Sequence, residues 1–286
     1  MPRRRVTPAP ASASITGLVL AALLATSLAV VLAVGPATWA DPIDEVQPGE
    51  RHSIDRTFSV ATLNILGSNH TRGGDKRRTV RTAALIRRGG FKLIALQEVQ
   101  ADQLLGLRAK LPRYRFWPSE KYAPGGLRLQ IAWRHQRFDL LDAGTITTTF
   151  SYQQRPVPWV KLRDEATGRH VFVIDVHNSP REQEADRDSA TRREIRLFNR
   201  LNQRGPALIL GDANERREWF CRVARRTTAR AANGGSFTDE GCTPPDPSFV
   251  DWLMGDGQFG WRDFRAQDVR VSDHRLHSAV YRWRRL

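Results

Sequence analysis

The stretch Ala207-Leu-Ile-Leu-Gly-Asp-Ala-Asn214 joins an apolar run of strand length to a short polar turn. Asp212 and Asn214 are two residues apart, so we expect both side chains to point into the same space above the strand end. An aspartate there can orient or deprotonate a water molecule, and the asparagine amide can hydrogen-bond that water or a phosphate oxygen. The alternative is an ordinary Asx turn in which Gly211 is the flexible residue.

Similar polar residues follow other apolar runs along the chain. They are Asn64 after Phe58–Leu63, Glu98 after Leu93–Gln97, Asp175-Val-His-Asn178 after Val171–Ile174, Asp251 after Phe249 and Val250, and the late segment Ser272-Asp-His274. A packed sheet that presents several reactive side chains at one edge is typical of an active site. The order and chemistry of these residues favour a metal-assisted phosphoester hydrolase.

Glu98 and Asp273 are the predicted metal ligands, since both are hard oxygen donors at strand ends. Magnesium is held in proteins by one or two carboxylates together with water and substrate phosphate, and manganese and calcium are alternatives. Asn64 is expected either to add a neutral oxygen ligand or to orient Glu98. Taken singly, each residue also has a structural explanation as a turn residue or a helix cap.

His274, next to Asp273, is the predicted proton carrier, because an imidazole exchanges protons most readily near neutral pH. Asp251 is the expected carboxylate that fixes its tautomer. His177 is expected to donate to a non-bridging phosphoryl oxygen as negative charge builds. The alternative for both histidines is a hydrogen-bonded surface residue, which is the interpretation retained for His52, His70, His135, His170 and His277.

The N-terminus differs in kind from the rest of the chain. Arg3–Arg5 precede the uncharged run Ile15–Val34, and a small-residue pattern ends at Ala40. This predicts an export segment over residues 1–40 that is either cleaved as a signal peptide or kept as a membrane anchor. Residues 41–56 are predicted to form a tether and residues 57–286 the catalytic domain. We therefore expect a secreted or membrane-anchored protein with its catalytic domain outside the cytoplasm.

The two cysteines, Cys221 and Cys242, both fall in the exported part. In an oxidising compartment an even pair favours a disulfide, which would close a loop of about twenty residues. Two unpaired, small apolar side chains are the alternative.

The charge of the chain favours a polyanionic partner. Its 286 residues carry a formal net charge of +15, which suits nucleic acid or an anionic membrane surface. Arginine supplies nearly all of the basicity, so a general compositional bias explains the same charge without a binding role. The densest basic runs, Arg222–Arg230 and Arg282–Arg285, are interpreted as a solvated loop and a frayed end.

Strand and helix patterns alternate along the exported part. The clearest are strands at Phe58–Leu63, Leu93–Leu96, His170–Val176 and Ala207–Leu210, and helices at Asp75–Arg88 and Glu182–Gln203. In the first helix we expect Val80, Ala84 and Leu85 to face the core. Two sheets, each covered by helices on its outer face, satisfy this count in a single domain.

Together these residues resemble the endonuclease/exonuclease/phosphatase superfamily, the group of pancreatic deoxyribonuclease, apurinic endonucleases, neutral sphingomyelinases and inositol-polyphosphate 5-phosphatases. The resemblance covers about residues 57 to 283. Its marks are Leu63-Asn64, Gln97-Glu98, Val176-His177, Gly211-Asp-Ala-Asn214, Val250-Asp251 and Ser272-Asp-His274. Within the superfamily the chain looks most like exported actinobacterial members.

The resemblance implies an α/β fold, a four-layered sandwich of two mixed β-sheets flanked by helices. The implied roles are magnesium binding by Glu98, Asn64 and Asp273, water activation by Asp212 with Asn214, an Asp251–His274 pair, and phosphate binding by His177 and Asn178. Two positions depart from the family pattern. Ala213 replaces a bulkier residue, and Asn178-Ser-Pro180 lacks the usual leucine.

Three hypotheses follow from the sequence. The first is an extracytoplasmic, divalent-metal-dependent phosphodiesterase that acts on nucleic acid as a monomer. The second is a phospholipid hydrolase of sphingomyelinase type, or a small-phosphoester hydrolase, that uses the same site. The third is a binding protein that keeps the fold without activity, which the complete set of reactive residues argues against. The sequence contains no P-loop, no Gly-x-Ser-x-Gly elbow and no His-Glu-x-x-His helix, which excludes those classes.

Overall fold

A computed structural model describes residues 56–71, 75–123, 128–257 and 260–283. Strands and helices alternate along this part of the chain. The strands are β1 (Thr57–Asn64), β2 (Leu93–Gln97), β3 (Tyr114–Trp117), β4 (Leu129–Arg134), β5 (Phe138–Phe150), β6 (Gln153–Asp164), β7 (His170–His177), β8 (Ala207–Asp212), β9 (Ala229–Ala231), β10 (Ser236–Thr238), β11 (Gly241–Thr243), β12 (Asp251–Asp256), β13 (Gly260–Gln267) and β14 (Leu276–Arg282). The helices are α1 (Lys76–Gly89), α2 (Ala101–Lys110), α3 (Glu184–Asn202) and α4 (Arg217–Arg226), with a short 3-10 helix at Ser68–His70. The predicted export segment, residues 1–40, and the predicted tether, residues 41–56, lie outside the described residues except for Arg56. Among the helices that the structure describes, none has the length and apolar character needed to cross a membrane.

The strands form two six-stranded mixed sheets and a separate hairpin of β10 and β11. The first sheet has the order β13-β14-β1-β2-β4-β3, and the second has the order β5-β6-β7-β8-β12-β9. At the centre of each sheet two strands are parallel, β1 with β2 and β7 with β8, and they are flanked by antiparallel neighbours. The C-terminal ends of these central strands lie beside the N-terminal end of β12 at one edge. We call this edge the rim; it is formed by Asn64, Gln97, His177, Asp212 and Asp251.

The two sheets pack face to face over an apolar core. Val60 and Leu93 of the first sheet and Val173 and Leu208 of the second are all 0 % exposed within it. Helices α1 and α2 cover the outer face of the first sheet, and α3 and α4 cover the outer face of the second. The predicted four-layered sandwich of two mixed sheets flanked by helices is confirmed. All four layers belong to one compact unit, His52–Leu286, which therefore has a complete core and can fold on its own.

Helix α1 presents only part of the predicted inner face, in which Leu85 packs against the core and Ala84 is half-buried. Its buried residues include Thr79, Thr82, Ala83 and Ile86. The prediction that Val80 faces the core is wrong, because its side chain is 50 % exposed. Helix α2 passes so close that a Cβ added at Gly106 would lie 2.7 Å from Thr79 Cγ2. Small side chains therefore occupy the face of α1 that meets its neighbour.

The basic run Arg222–Arg230 is not the predicted solvated loop. Its first half belongs to α4, which buries Trp219 and Phe220 against the second sheet, and its last residues belong to β9. Cys221 on α4 is bonded to Cys242 on β11, with the Cα atoms 5.7 Å apart. The predicted disulfide is confirmed, and it attaches the β10–β11 hairpin to the outer helical layer.

Removal of this disulfide is expected to lower the stability of the fold. The Cys221→Ala/Cys242→Ala protein should lose about 3 kcal/mol of unfolding free energy, because the bond restricts the unfolded chain. Urea unfolding followed by tryptophan fluorescence measures the change. Reduced wild-type protein is the control and should unfold at the same lower urea concentration. An unchanged midpoint in both samples would show that the bond contributes nothing to stability.

Candidate active site

The side chain of Asn64 connects the two sheets at the rim. Its Nδ2 donates to Glu98 Oε1 at 3.1 Å and to Asp212 Oδ2 at 3.2 Å. Glu98 follows β2 of the first sheet, whereas Asp212 ends β8 of the second. The Oδ1 of Asn64 accepts a hydrogen bond from the Leu66 N–H at 3.1 Å. The amide nitrogen therefore faces the two carboxylates, which favours an orienting role for Asn64 over direct ligation of a metal.

Glu98 is surrounded by hydrogen-bond donors. Beyond the contact with Asn64, its Oε2 accepts a hydrogen bond from the Gly67 N–H at 3.0 Å and lies 3.1 Å from His70 Nε2. Its backbone φ of 61° is uncommon for a residue other than glycine. Burial alone would raise the pKa of Glu98, but the hydrogen bonds from Gly67 and Asn64 outweigh it and lower the pKa. Glu98 is thus an ionised carboxylate at neutral pH, the form that binds a hard cation.

Asp212 lies at the centre of the rim and is 1 % exposed. Its Oδ2 lies 3.5 Å from His177 Nε2 and 3.7 Å from His274 Nε2. Its Oδ1 accepts a hydrogen bond from the Asn214 N–H at 2.9 Å. Burial and the negative charge of Asp251 raise the pKa of Asp212, and burial lowers the pKa of His177. A carboxylate and two imidazoles therefore face the same small volume.

Asp251 and His274 form a close pair, as predicted from their residue types. The Nδ1 of His274 lies 3.0 Å from Asp251 Oδ2 and 3.1 Å from Oδ1. Burial opposes a charge on His274, but the hydrogen bond and the charge of Asp251 prevail and raise its pKa to about 9. Ser272 fixes the loop, because its Oγ donates to the Asn64 carbonyl oxygen at 2.6 Å and accepts from the His274 N–H at 3.1 Å. This geometry leaves His274 Nε2 directed towards Asp212.

Asn178 and Asn214, the other two asparagines of the predicted site, support the rim from within. Asn178 is 0 % exposed and its Nδ2 donates to Glu194 Oε2 at 3.3 Å, so its side chain points into the interior. The Nδ2 of Asn214 donates to the Asn178 carbonyl oxygen at 2.8 Å, and the Asn178 N–H donates to the Asp212 carbonyl oxygen at 2.9 Å. The structure therefore does not bring the Asn178 amide to the predicted substrate side. Both residues instead hold the turn that carries Asp212.

Asp273 is the most exposed of the predicted ligands. Its Oδ1 lies 3.4 Å from Ser272 Oγ, whose hydrogen is directed to the Asn64 carbonyl oxygen at the shorter distance, and its charge acts on both Asp251 and His274. Within the described residues no hydrogen bond joins it to Glu98. Its carboxylate therefore stands at the open side of the site, where a cation would approach from solvent.

The rim collects acidic groups in a way that suits a hard divalent cation. One ligand atom each from Asp212, Asp251 and His274 lie within 4.8 Å of one another, and Glu98 shares the Asn64 amide with Asp212. Carboxylates crowded into a buried place repel one another unless protons or a cation neutralise them. The Asp251–His274 pair already supplies one positive charge, so the carboxylates that remain to bind a cation are Glu98 and Asp273, whose oxygen donors fit magnesium and equally manganese or calcium.

Two basic side chains that contact the candidate site, His70 and Arg155, were not predicted as functional residues from the sequence. His70, interpreted as a surface residue, contacts Glu98, and its closeness to the first rim segment was the available signal. Arg155 on β6 lies with its guanidinium carbon 3.6 Å from the centroid of the Phe150 ring, and that ring packs on His177 at 4.8 Å. Burial and the charge of a neighbouring arginine lower the pKa of Arg155 to about 10. No local pattern marks Arg155, because it lies inside a strand rather than at a strand end.

Most of the chain matches the model of one known protein family. A model of the Endonuclease/Exonuclease/phosphatase family matches residues 61–274, which include every predicted site residue. The chain belongs to the endonuclease/exonuclease/phosphatase family. Members of this family are hydrolases that act on phosphoesters. A comparison with curated proteins found no match.

Several solved structures have the same fold as this family member. An endonuclease/exonuclease/phosphatase from Bacteroides vulgatus has a TM-score of 0.64 and 18 % identity, covering 80 % of this chain and 99 % of that chain. A mannosyl-6-phosphatase from Bacteroides thetaiotaomicron has a TM-score of 0.60 and 18 % identity, covering 79 % and 100 %. A humanized D. rerio TDP2 has a TM-score of 0.64 and 13 % identity, covering 80 % and 100 %. At these identities the similarity establishes the fold but does not identify the substrate.

Glu194, buried behind the rim, is expected to make stability depend on pH. Its Oε2 accepts hydrogen bonds from Asn178 Nδ2 at 3.3 Å and Trp219 Nε1 at 3.2 Å, and burial raises its pKa to about 7. The folded protein therefore holds a proton that the unfolded chain releases near the ordinary value of 4.5. The resulting stabilisation is complete below about pH 4.5 and is lost as the pH rises through about 7, a change of about 3 kcal/mol.

The Glu194→Gln protein should lack this dependence, because its amide cannot ionise. Urea unfolding of variant and wild type across this pH range measures the difference in unfolding free energy, which should move in favour of the variant as the pH rises. Glu182→Gln, at an exposed position just before α3, is the control. A difference that stays constant across the range would contradict the assignment of the buried proton to Glu194.

Proposed function

We propose that the protein is a divalent-metal-dependent phosphodiesterase that hydrolyses nucleic acid outside the cytoplasm. The observation that carries this proposal is the meeting of Asn64 and Glu98 from the first sheet with Asp212 from the second, beside the Asp251–His274 pair. Family membership supplies phosphoester hydrolysis as the reaction class. The disulfide and the predicted export segment support the location, since disulfides persist in oxidising compartments.

In this proposal Glu98 holds the cation and Asp273 completes its binding from the open side. The Gly67 N–H and the Asn64 amide keep the Glu98 carboxylate in place. Asp251 is not assigned to the cation, because His274 Nδ1 already occupies it. When bound, a divalent cation polarises a phosphoryl oxygen and offsets the negative charge of the substrate.

Asp212 orients the attacking water and accepts its proton, since it is the buried carboxylate to which both histidines point. The Asn64 amide and the Asn214 N–H hold its two oxygens in position. Asp251 fixes His274 through Nδ1, so that His274 Nε2 faces Asp212. From this position His274 donates a proton to the leaving oxygen of the phosphodiester and regains one from Asp212. His177 donates from Nε2 to a non-bridging oxygen as charge builds in the transition state.

Arg155 supports a nucleic-acid substrate, because it places a guanidinium beside His177. Within the described residues no hydrogen bond or ion pair occupies this guanidinium, so it can take a phosphate bidentately. The net charge of +15 adds general attraction for a polyphosphate chain. The second candidate is hydrolysis of a phospholipid at the same rim, which the exposed apolar side chains Val80 and Leu105 favour.

Replacement of Asp212 should abolish turnover. With magnesium, the Asp212→Asn protein should nick supercoiled plasmid at least about a hundredfold more slowly than wild type, because it lacks the proton acceptor. Chelator should stop the wild-type reaction. Asp139→Asn is the control, since Asp139 is an exposed carboxylate on β5 that pairs with Arg163 at the edge opposite the rim. Folded wild-type protein that cleaves neither DNA nor RNA with any of the three metals would overturn the nuclease proposal.

Loss of the Arg155 guanidinium should weaken substrate binding more than chemistry. Arg155→Met should raise KM for a short duplex about tenfold, the equivalent of one charge-assisted hydrogen bond. It should also lower the salt dependence of binding by about one phosphate contact, measured by anisotropy of a labelled duplex. Arg163→Met, on the same strand at the opposite edge, is the matched control. An unchanged KM and salt slope would show that Arg155 does not contact the substrate.

A further inference from the structure

An apolar groove runs between α1 and α2 on the outer surface of the protein. It has a volume of about 310 Å³, and its walls include Thr79, Val80, Leu105 and Gly106. The groove is distinct from the rim, because no rim residue lines it. Close passage of the two helices at Gly106 and Thr79 fixes its shape.

Two large apolar side chains stand at the mouth of this groove without cover. Leu105 is 70 % exposed and Val80 is 50 % exposed. They come from different helices and line the same groove. Apolar side chains grouped on an outer surface gain free energy when a partner removes them from water. A partner with an apolar interior would remove Val80 and Leu105 from water.

Basic residues surround the groove. Lys76 and Lys110 line it together with one acid, Asp102, and α1 contributes six basic residues and no acidic one. The exposed ones on α1 are Lys76, Arg77, Arg81, Arg87 and Arg88. The nearby acids are engaged, because Asp75 caps α1 by accepting from the Arg78 N–H and Asp102 accepts from Ser68 Oγ at 2.6 Å.

The absence of acidic residues distinguishes α1 from the opposite helical layer, although exposed arginines such as Arg196 and Arg200 also occur on α3. Helix α3 alternates acids with its arginines, and Arg187 and Arg222 are paired with Glu215 and Asp188. Among the described residues, no ion pair engages the exposed basic side chains of α1. The excess of basic over acidic residues is thus larger on α1 than on α3, and α1 also forms one wall of the apolar groove.

We propose that the outer face of α1 and α2 docks on an anionic membrane surface, with Val80 and Leu105 entering the headgroup region. Anionic lipid offers negative charge for the basic border and an apolar interior for the groove. Nucleic acid matches the charge but leaves the two apolar side chains in water. The docking does not depend on the proposed phosphodiesterase activity, because none of its residues belongs to the rim.

Vesicle cosedimentation of the compact unit, residues 52–286, tests the proposal without the apolar N-terminal run. The protein should bind vesicles that contain phosphatidylserine and phosphatidylcholine, and should bind pure phosphatidylcholine vesicles far more weakly. Val80→Gln/Leu105→Gln and Lys76→Gln/Lys110→Gln should each reduce partitioning roughly tenfold. Plasmid nicking in the absence of vesicles should stay at the wild-type rate in both variants.

Matched controls separate a specific face from diffuse charge. Leu140→Gln/Leu141→Gln changes two leucines on β5 that are 45 % and 47 % exposed, and Arg196→Gln/Arg200→Gln removes two exposed charges from α3. Both controls should bind vesicles almost as wild type does. Equal losses in controls and test variants would overturn the proposal, as would no preference for anionic vesicles.

Two further outcomes would assign the face to another occupant and overturn the membrane proposal. If light scattering shows a dimer that Val80→Gln/Leu105→Gln dissociates while vesicle binding is unchanged, the face binds a second copy of the chain. If Lys76→Gln/Lys110→Gln weakens binding of a DNA duplex and leaves vesicle binding unchanged, the face binds nucleic acid.

Discussion

The hydrogen bonds of one buried amide hold the two halves of the active site together. Asn64 Nδ2 donates to Glu98 from the first sheet and to Asp212 from the second. Core packing sets the distance between two sheets but does not by itself align the carboxylates at their edges. A second bridge lies nearby, where Gln97 Nε2 donates to Asp175 Oδ1 at 2.7 Å. Because all of these groups are buried except Glu98, loss of either amide would remove a hydrogen bond that links the two sheets and that water cannot easily replace.

The negative charges of the acidic groups at the rim and around it are compensated in different ways. Glu98 keeps its charge through donors, and Asp251 is paired with His274. Burial raises the pKa of Asp175 and of Glu194, which favours the protonated, neutral form of each. Asp212 combines both effects, because Asn64 and Asn214 donate hydrogen bonds to it while burial and the neighbouring Asp251 raise its pKa. A buried carboxylate whose pKa is shifted by a specific charged neighbour is typical of a functional site.

Strand ends were predictable because an apolar run that stops at a polar residue marks the edge of a sheet. Side-chain direction was harder to infer, since neighbouring residues of an extended chain point to opposite sides. His177 therefore faces the rim while the adjacent Asn178 points to Glu194 on α3. The inner face of α1 depends on where α2 crosses it, which its own periodicity does not specify. Arg155 reaches the site through the long β5–β6 pairing, a contact distant in sequence from the rim segments.

Reaction chemistry and substrate choice rest on different parts of this fold. The two sheets pack into one core and fix the positions of Asn64, Glu98 and Asp212. The geometry of these residues therefore changes little when the surface varies. His70 comes from a short 3-10 helix and Arg155 from β6, the second strand of its sheet, and both place basic side chains next to those fixed groups. Because loops and outer strands vary while the core persists, one scaffold supports many phosphoester specificities. In the proposed function, the basic side chains beside the rim, and not the carboxylates within it, are therefore the groups expected to distinguish one phosphate-bearing substrate from another.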